Sequence, residues 1–410
     1  MQEAADKMAG GRAEEENRDD RPPVAHLLSG YPAVIDRTCA LDLPSHQFLR
    51  RSWFGNSRTP GARTLYIERV DRTPLAAIPI EPANTSFPGI NAVGGGYWPF
   101  RSFPAAADLT SLDLARALSV PRIQQGIGPV LRIGPAYAGD RAALLMREAA
   151  AMLGWQILVR RLGTRFVQQV DDRMIAEGAL GRSRRRRIAG AERRLAELGT
   201  IAVGIVRGAE WCDVVLNDLG RIEAQSWIGT DTDRSGAKFI DPAARRRWLE
   251  LLADRHLAER LHATILYVDH QPVAFSFDLI AGTMLYAIAS GYDPAFARFG
   301  PGMIVTRHSL DHAIASGVRT IDWGCGDTGY KTEMGATPDQ AIEDWLIVRG
   351  NVLAAALRPV WEDQQEPMGR AVTAGLSGAM SELGTARRSR MERLIMPGLA
   401  VAAAAMMMSE

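Results

Sequence analysis

The most constraining stretch of this 410-residue chain runs from residue 283 to residue 335. Residues 283–290 predict a strand, and Arg298-Phe299-Gly300-Pro301-Gly302-Met303 predicts a turn that leads into a helix. A second strand follows at 319–323, and a glycine-rich segment follows it at 324–331. Glycines at a helix start let backbone N–H groups approach an anion, and the helix dipole adds partial positive charge. Gly300 and Gly302 therefore form either an ordinary turn or an anion site, with phosphate as the usual occupant of such a site.

Composition bounds the class of protein. A hydrophobic content of 47% supports real cores, and 410 residues give room for two domains. Lys and Arg number 48 against 47 Asp and Glu, so the overall charge of +1 gives no support to a general nucleic-acid or membrane role. The three cysteines, Cys39, Cys212 and Cys325, are far apart and favour a reducing compartment.

The two ends of the chain are expected to lie outside the folded core. Residues 1–23 are rich in charge and lack the apolar run of a secretory signal, which predicts a disordered leader and a cytoplasmic location. Residues 350–410 predict a helical, Ala- and Met-rich tail. Its apolar run at 394–408 is interrupted by Pro397 and Gly398 and is shorter than the ~20 residues of a membrane span. We expect a frayed tail or a docking helix and no stable membrane insertion.

Residues 24–165 predict a first α/β unit. A hairpin is expected from strands at 64–70 and 75–80, and helices are expected at 108–118 and 139–153. A glycine run at 94–96 precedes an aromatic loop at 97–100, which either lines a pocket or packs into the core.

Residues 178–349 predict a second unit, which begins with a basic amphipathic helix. Arg182 and Arg184 to Arg187 crowd its first turns, while apolar residues recur at helical spacing. This face is either solvated or a basic rim that attracts a phosphorylated or acidic ligand, with Arg184 and Arg187 as candidate substrate contacts. The rest of the unit predicts a mixed, mostly antiparallel sheet flanked by helices, an α/β arrangement.

This order of elements is similar to the GNAT acyltransferase fold, and residues 298–303 resemble a shortened acyl-CoA pyrophosphate loop. The chain resembles the bacterial branch grouped with cellulose-biosynthesis acetyltransferases and related to the FemAB peptidoglycan aminoacyltransferases. The resemblance rests on residues 183–195, Ser226-Trp227, Gly300-Pro301-Gly302, Asp322-Trp323-Gly324, Gly326-Asp327 and Tyr330-Lys331. It extends over residues 178–345 and, as a degenerate copy, over residues 24–165, which implies two GNAT-like units in tandem.

The resemblance implies transfer of an acyl group, acetyl above all, from acetyl-CoA or another acyl-CoA to an amine or hydroxyl. The acceptor would be a small molecule or a glycan or cell-envelope precursor, and no metal is needed. The pyrophosphate contacts would be Arg298, Gly300, Gly302 and Met303. Tyr330 is similar in position to the tyrosine that many GNAT proteins direct at the departing thiolate.

Two carboxylates are candidates for the general base, Asp327 and Glu223. Either could be structural instead, since an aspartate between glycines is often a helix cap. Trp227 and Lys331 are candidate substrate contacts. His308 and His312 have the i, i+4 spacing of metal ligands, but no third ligand lies near them in the sequence, so we expect them to be packing or surface residues.

Two other functions stay open. A FemAB-like aminoacyltransferase would take an aminoacyl-tRNA donor and use the arginine run as its phosphate contact, although stacking aromatics do not accompany the arginines. A non-catalytic scaffold of an exopolysaccharide machine would use the first unit and the tail as partner surfaces.

Overall fold

The computed structural model describes residues 21–55, 60–83, 89–94, 102–232, 237–327 and 329–362. Most of the predicted leader, the aromatic loop at 97–100 and the tail beyond residue 362 lie outside these ranges. Among the helices of the described residues, none combines the length and apolar character that a bilayer span requires.

Twelve strands form one sheet in the order β1-β2-β3-β4-β5-β12-β6-β11-β10-β9-β8-β7. The strands are β1 (Val24–Ser29), β2 (Arg63–Glu68), β3 (Pro74–Pro82), β4 (Ile90–Val93), β5 (Val130–Tyr137), β6 (Gln156–Gln169), β7 (Ile201–Val206), β8 (Leu261–Val268), β9 (Gln271–Ala281), β10 (Met284–Tyr292), β11 (Thr320–Cys325) and β12 (Thr337–Val348).

Helices cover both faces of this sheet. They are α1 (Val34–Ala40), α2 (Arg51–Phe54), α3 (Ser111–Leu118), α4 (Pro121–Ile127), α5 (Arg141–Met152), α6 (Asp172–Glu177), α7 (Arg182–Ala196), α8 (Asp213–Gln225), α9 (Trp227–Thr230), α10 (Pro242–Leu252), α11 (Arg255–Ala258), α12 (Pro301–Ala315), α13 (Tyr330–Met334) and α14 (Asn351–Glu362). Short 3₁₀ helices lie at Pro44–His46, Gly208–Glu210 and Pro294–Phe299.

The sheet contains two units with the same strand pattern. In the first unit β1 to β4 pair antiparallel in sequence, and β4 then pairs parallel with β5. In the second unit β7 to β10 pair antiparallel, and β10 pairs parallel with β11. The predicted mixed, mostly antiparallel sheet with tandem units is therefore confirmed.

The last strands of the two units are exchanged. β6 follows the first unit in the sequence but pairs with β11 of the second, and β12 follows the second unit but pairs with β5 of the first. β6 and β12 also pair with each other along the centre of the sheet. Each unit is thus completed by a strand from the other half of the chain. The boundaries expected at residues 165 and 178 remain a prediction.

Local sequence explains the turns that hold the antiparallel pairs. Asp269 and His270, between β8 and β9, both have positive φ, at 45° and 66°. Two such residues make a type I′ turn, whose twist matches that of the flanking strands. Val268 therefore pairs with Gln271 across this turn.

Because side chains alternate along a strand, the sheet buries apolar residues on both faces. On one face a core is shared by the two units, with Trp53 and Tyr66 from the first and Phe275 and Phe277 from the second. On the opposite face two cores are separate: α3 and α5 cover the first unit, and α7 and α12 cover the second.

A buried polar junction ties the units together at the centre. The carboxylate of Asp322, on β11, is fully buried and accepts hydrogen bonds from the Tyr137 hydroxyl at 2.7 Å and Arg165 Nε at 2.8 Å. Tyr137 ends β5 and Arg165 lies on β6, so the junction joins both units to an exchanged strand. Removing one member of such a buried pair leaves an uncompensated charge, which typically costs about 3–5 kcal/mol.

Candidate active site

A gap opens between the two parallel strands of the second unit. β10 and β11 pair only where Met284–Tyr286 meets Thr320–Asp322. Beyond this point β10 has an irregularity between Ala287 and Ala289, and β11 has one between Asp322 and Gly324. Such bulges bend a strand and take one residue out of the ladder. The strands therefore separate toward their C-terminal ends, next to the helix that connects them.

The connecting helix, α12, starts without a side-chain cap. Gly300 is its N-cap and has a left-handed conformation with φ of 62°. Pro301 occupies the first helical position, and the first turn carries no acidic residue. The first N–H groups of a helix have no intrahelical acceptor, and the dipole makes this end partly positive. The start of α12 is therefore suited to an anion.

Three of the four residues predicted to bind the cofactor lie at this helix start. Gly302 and Met303 are in the first turn, and a Cβ on Gly302 would lie 3.3 Å from Cδ1 of Tyr292, so the backbone there is close to an aromatic ring. Arg298 lies before the helix, is exposed, and stacks its guanidinium 4.7 Å from the Phe299 ring centre. Binding of pyrophosphate by these residues remains a prediction.

The Tyr330 hydroxyl is tied directly to α12. It lies 3.0 Å from Thr306 Oγ1, and Thr306 in turn donates to the Gly302 carbonyl at 2.7 Å. The tyrosine ring meets Trp323 edge to face, with 6.0 Å between ring centres. Burial raises the pKa of the Tyr330 hydroxyl more than the hydrogen bond with Thr306 lowers it. Tyr330 is therefore protonated at neutral pH and can donate.

Lys331 follows Tyr330 and turns back to the end of β11. Its Nζ donates to the Cys325 carbonyl at 2.8 Å. Burial lowers the pKa of Lys331 to about 8, although the charges of Asp322 and Asp327 act in the opposite direction. The ammonium is thus less firmly protonated than an exposed lysine, a common property of functional sites.

Asp327 acts as the cap of α13. Its carboxylate accepts the N–H groups of Gly329, Lys331 and Thr332 and the Thr332 hydroxyl. Burial would raise its pKa, but the hydrogen bonds from Thr332 and the backbone outweigh this effect and lower it. The structural alternative considered for Asp327 accounts for all of these contacts, and its role as a base stays a prediction.

Glu223 is fully buried and holds a loop. Its two carboxylate oxygens accept the backbone N–H groups of Lys238, Phe239 and Ile240 at 2.7–3.0 Å. These bonds fix the segment before α10, so the structure gives Glu223 a structural task that its position on a helix did not reveal.

Trp227 begins α9, which follows α8, the helix that carries Glu223, and Trp227 is 40% exposed. The preceding residue, Ser226, packs on β10, because a Cβ on Gly291 would lie 3.6 Å from Ser226 Cβ. Tyr292, at the end of the same strand, is also 40% exposed. Trp227 and Tyr292 thus place two accessible aromatic side chains near the C-terminal end of β10.

A buried carboxylate beneath α12 was missed from the sequence. Asp278, on β9, accepts from Ser309 Oγ at 2.6 Å and Ser276 Oγ at 2.8 Å. Burial raises its pKa to about 6. A lone aspartate in the otherwise apolar run at residues 272–280 was the available signal, because isolated buried carboxylates are rare.

The two predicted arginine contacts, Arg184 and Arg187, line a cavity of about 490 Å³ at the start of α7. His308 lies 3.0 Å from a Glu192 carboxylate oxygen, and the ring of His312 lies 5.4 Å from that of His262. In the described part of the chain no group of three or more His, Cys, Asp or Glu side chains is arranged to hold a metal ion.

Residues 182–332 match the family model described as an acetyltransferase (GNAT) domain. The fold is similar to that of FemX, with a TM-score of 0.53 and 11% identity over 76% of this chain and 94% of that chain. For L-PGS from Bacillus licheniformis the TM-score is 0.50 and the identity is 12%, over 81% of this chain and 96% of that chain. For the C-terminal domain of a putative lysylphosphatidylglycerol synthetase from Agrobacterium fabrum the TM-score is 0.49 and the identity is 10%, over 80% of this chain and 96% of that chain. No curated protein sequence matches the chain.

At these identities the solved structures bear on the fold alone. The domain match adds the acetyltransferase chemistry, since it runs from the start of α7 into α13 and includes both the start of α12 and Tyr330. The chain is therefore an N-acyltransferase of the GNAT fold, with its acetyltransferase domain at residues 182–332.

Proposed function

We propose that the protein transfers an acyl group from acetyl-CoA, or from a longer acyl-CoA, to an amine or hydroxyl acceptor in the gap between β10 and β11. The observation that carries this proposal is the uncapped start of α12 beside a gap whose edge holds a protonated tyrosine bonded to the same helix. A cell-envelope or exopolysaccharide precursor is the acceptor we favour, from the resemblance to the cellulose-biosynthesis branch.

In this proposal α12 and β10 bind different parts of the donor. The first turn of α12, with Gly300, Gly302 and Met303, holds the pyrophosphate of the donor, and exposed Arg298 adds positive charge. The irregularity in β10 takes the Ile288 backbone out of the β9–β10 ladder, where it can contact the thioester carbonyl. Acyl-CoA supplies an activated thioester whose sulfur is the leaving group.

Tyr330 is the proposed general acid. When the acceptor nitrogen or oxygen bonds to the acyl carbon, the carbon–sulfur bond breaks and the Tyr330 hydroxyl gives its proton to the sulfur. The acceptor releases its own proton to solvent, and the Tyr330 phenolate takes up a proton from solvent to complete the cycle. Lys331 and Trp227 are proposed to position the acceptor. This proposal gives neither Glu223 nor Asp327 the role of base, because each carboxylate already accepts at least three hydrogen bonds.

The direct test compares ligand binding by the parent with that by a variant that carries a negative charge at the start of α12. Thermal unfolding of the parent would be compared with that of Gly302→Glu, with and without acetyl-CoA and a longer acyl-CoA. A ligand at 100 times its Kd stabilises the native state by about 2.7 kcal/mol. We expect both coenzymes to stabilise the parent and neither to stabilise the variant, because a carboxylate there repels the pyrophosphate.

Two matched variants control this test. Gly190→Glu makes the same substitution within α7, where the nearest contact of a Cβ is the flexible end of Arg194 at 3.6 Å. It should respond to coenzyme like the parent. Gly302→Ala separates charge from crowding, since its methyl group meets the Tyr292 ring but carries no charge.

The second candidate donor is an aminoacyl-tRNA, which the overall fold similarity to FemX and L-PGS favours. Stabilisation by charged tRNA with no shift by either coenzyme would overturn the acyl-CoA proposal in its favour. Failure of all three ligands to shift the parent would instead favour the non-catalytic scaffold.

A further inference from the structure

A groove rich in arginine lies where α6, the following turn and α7 meet. Its larger part, of about 490 Å³, is lined by Arg173, Gly181, Arg182, Ser183, Arg184 and Arg187. A second part, of about 240 Å³, shares Arg173, Gly181 and Arg184 and reaches Met334 and Gly335 at the end of α13. We call this continuous space the arginine groove.

The positive charge of the arginine groove is only partly compensated, because the two carboxylates that line it, Asp171 and Glu177, belong to the smaller part. Arg173 forms an ion pair with Glu177 at 3.6 Å. Within the described ranges, by contrast, no carboxylate forms an ion pair with Arg182, Arg184 or Arg187. Like charges confined around one cavity repel each other, so an anion that enters the groove is attracted by all of them.

The orientation of α7 also favours an anion in the arginine groove. The helix begins at Gly181 with no side-chain cap and no acidic residue in its first turn. Basic residues at this end oppose the helix dipole, which favours negative charge at an N-terminus. The first turn of α7 therefore carries an unfavourable arrangement that a bound anion would relieve, both through the arginines and through the free N–H groups.

The arginine groove also adjoins the candidate active site. Gly335 directly follows α13, whose first residue is Tyr330. Arg184, which lines both parts of the groove, is close enough for its positive charge to act on the Tyr330 hydroxyl. A molecule held in the groove can therefore extend toward the place where acyl transfer is proposed.

We propose that the arginine groove binds the phosphate group of the acceptor, a small molecule with a phosphate monoester or a diphosphate. This rests on the proposed acyl transfer and names the acceptor class. The groove has the volume of a small-molecule site, which is typically ~300–1,000 Å³. Its lining contains no aromatic side chain on which bases could stack, which argues against single-stranded nucleic acid.

The test is calorimetric titration of inorganic pyrophosphate into the full chain, at low and at physiological salt. The variants are Arg187→Glu, at an exposed position, and Arg184→Gln, which keeps polarity at a half-buried one. Each should bind pyrophosphate about tenfold more weakly or worse, as expected for the loss of a charge-assisted hydrogen bond. Their affinity for acetyl-CoA should be unchanged.

Arg186→Glu is the matched control, because Arg186 is exposed in the same helix and does not line the groove. An equal loss of pyrophosphate affinity in this control would overturn the proposal, since only general charge would then matter. So would a loss seen with coenzyme A but not with dephospho-coenzyme A, because the groove would then serve the donor. Tight tRNA binding with a steep salt dependence that Arg184→Gln reduces would also contradict it.

The parent protein separates this proposal from the previous one. Pyrophosphate binding that depends on Arg184 and Arg187, in a protein that does not bind acetyl-CoA, would overturn the acyl-CoA donor while supporting a phosphate site in the groove. Acetyl-CoA binding without any pyrophosphate binding would overturn the groove alone.

Discussion

The two units share a strand order but differ at the first helix that the structure describes between their parallel strands. In the first unit α3 begins at Thr110, whose hydroxyl accepts the Asp113 N–H at 3.1 Å. The Asp113 carboxylate accepts the Thr110 N–H in return, also at 3.1 Å, so this helix start is closed by a capping box. In the second unit α12 begins at Gly300 with no side-chain cap.

This difference separates a structural role from a chemical one. At the start of α3, two donors are satisfied and a carboxylate repels any anion. At the start of α12, the donors and the dipole are available to a ligand. The same topology is therefore compatible with anion binding in one unit and with stability alone in the other, and a few residues at a helix start decide which.

The largest effect is expected from separating the two units. Residues 21–170 expressed alone lack β12, so β5 has an open edge and β6 has neither of its partners. We expect no cooperative thermal unfolding by circular dichroism for this half, and recovery when it is co-expressed with residues 171–362. A cooperative transition in the isolated half would show that the units are independent despite the exchanged strands.

Replacing a tyrosine by phenylalanine should lower activity in the second unit and stability in the first. Tyr330→Phe keeps the ring against Trp323 but removes the proposed acid, so kcat should fall about 10²-fold or more while acetyl-CoA affinity is kept. Tyr137→Phe instead leaves the Asp322 carboxylate short of a donor and should cost about 1–3 kcal/mol of stability with little change in kcat. Steady-state kinetics and urea unfolding distinguish them, and an unchanged kcat in Tyr330→Phe would remove Tyr330 from the mechanism.

Asp278 should give the second unit its own dependence on pH. Burial raises its pKa from 3.8 to about 6, so the folded state binds this proton more tightly than the unfolded state does. The parent should therefore gain stability relative to Asp278→Asn as the pH falls from about 6 to 4, by up to about 3 kcal/mol at about 1.4 kcal/mol per pKa unit. Urea unfolding of both proteins across this range measures the difference, and parallel curves would contradict the assignment.

The smallest effect concerns the closed helix start. Thr110→Ala removes the cap of α3 and should cost about 1 kcal/mol of unfolding free energy. Leu112→Ala, at a 48% exposed position in the same turn, should change stability by no more than about 0.5 kcal/mol. Equal losses in the two variants would mean that the capping box contributes nothing specific.

Sequence periodicity predicted the elements of the second unit well because their signals are local. The turn at Asp269 and His270 and the glycine at residue 300 each sit where the backbone needs a positive φ, and such residues are recognisable one at a time. The tandem arrangement came from the resemblance and is confirmed by the two parallel pairs.

Long-range partners could not be predicted in this way. Nothing in the alternation of β6 or β12 indicates which unit each strand joins, because strand pairing depends on neighbours far away in the chain. Glu223 is bound by N–H groups 15–17 residues later, in a loop with no periodic signal. Arg173 joins the arginine groove from a separate helix, so its contribution was visible only in three dimensions.

The exchanged strands have a consequence for synthesis on the ribosome. β5 is complete when residue 137 has emerged, but its partner β12 ends at Val348. Until β12 has been made, one edge of β5 presents unpaired backbone groups, which can pair with another chain. We expect the nascent first half to depend on chaperones until β12 has been made, so that the two units of this chain, unlike domains that fold one after another, mature together.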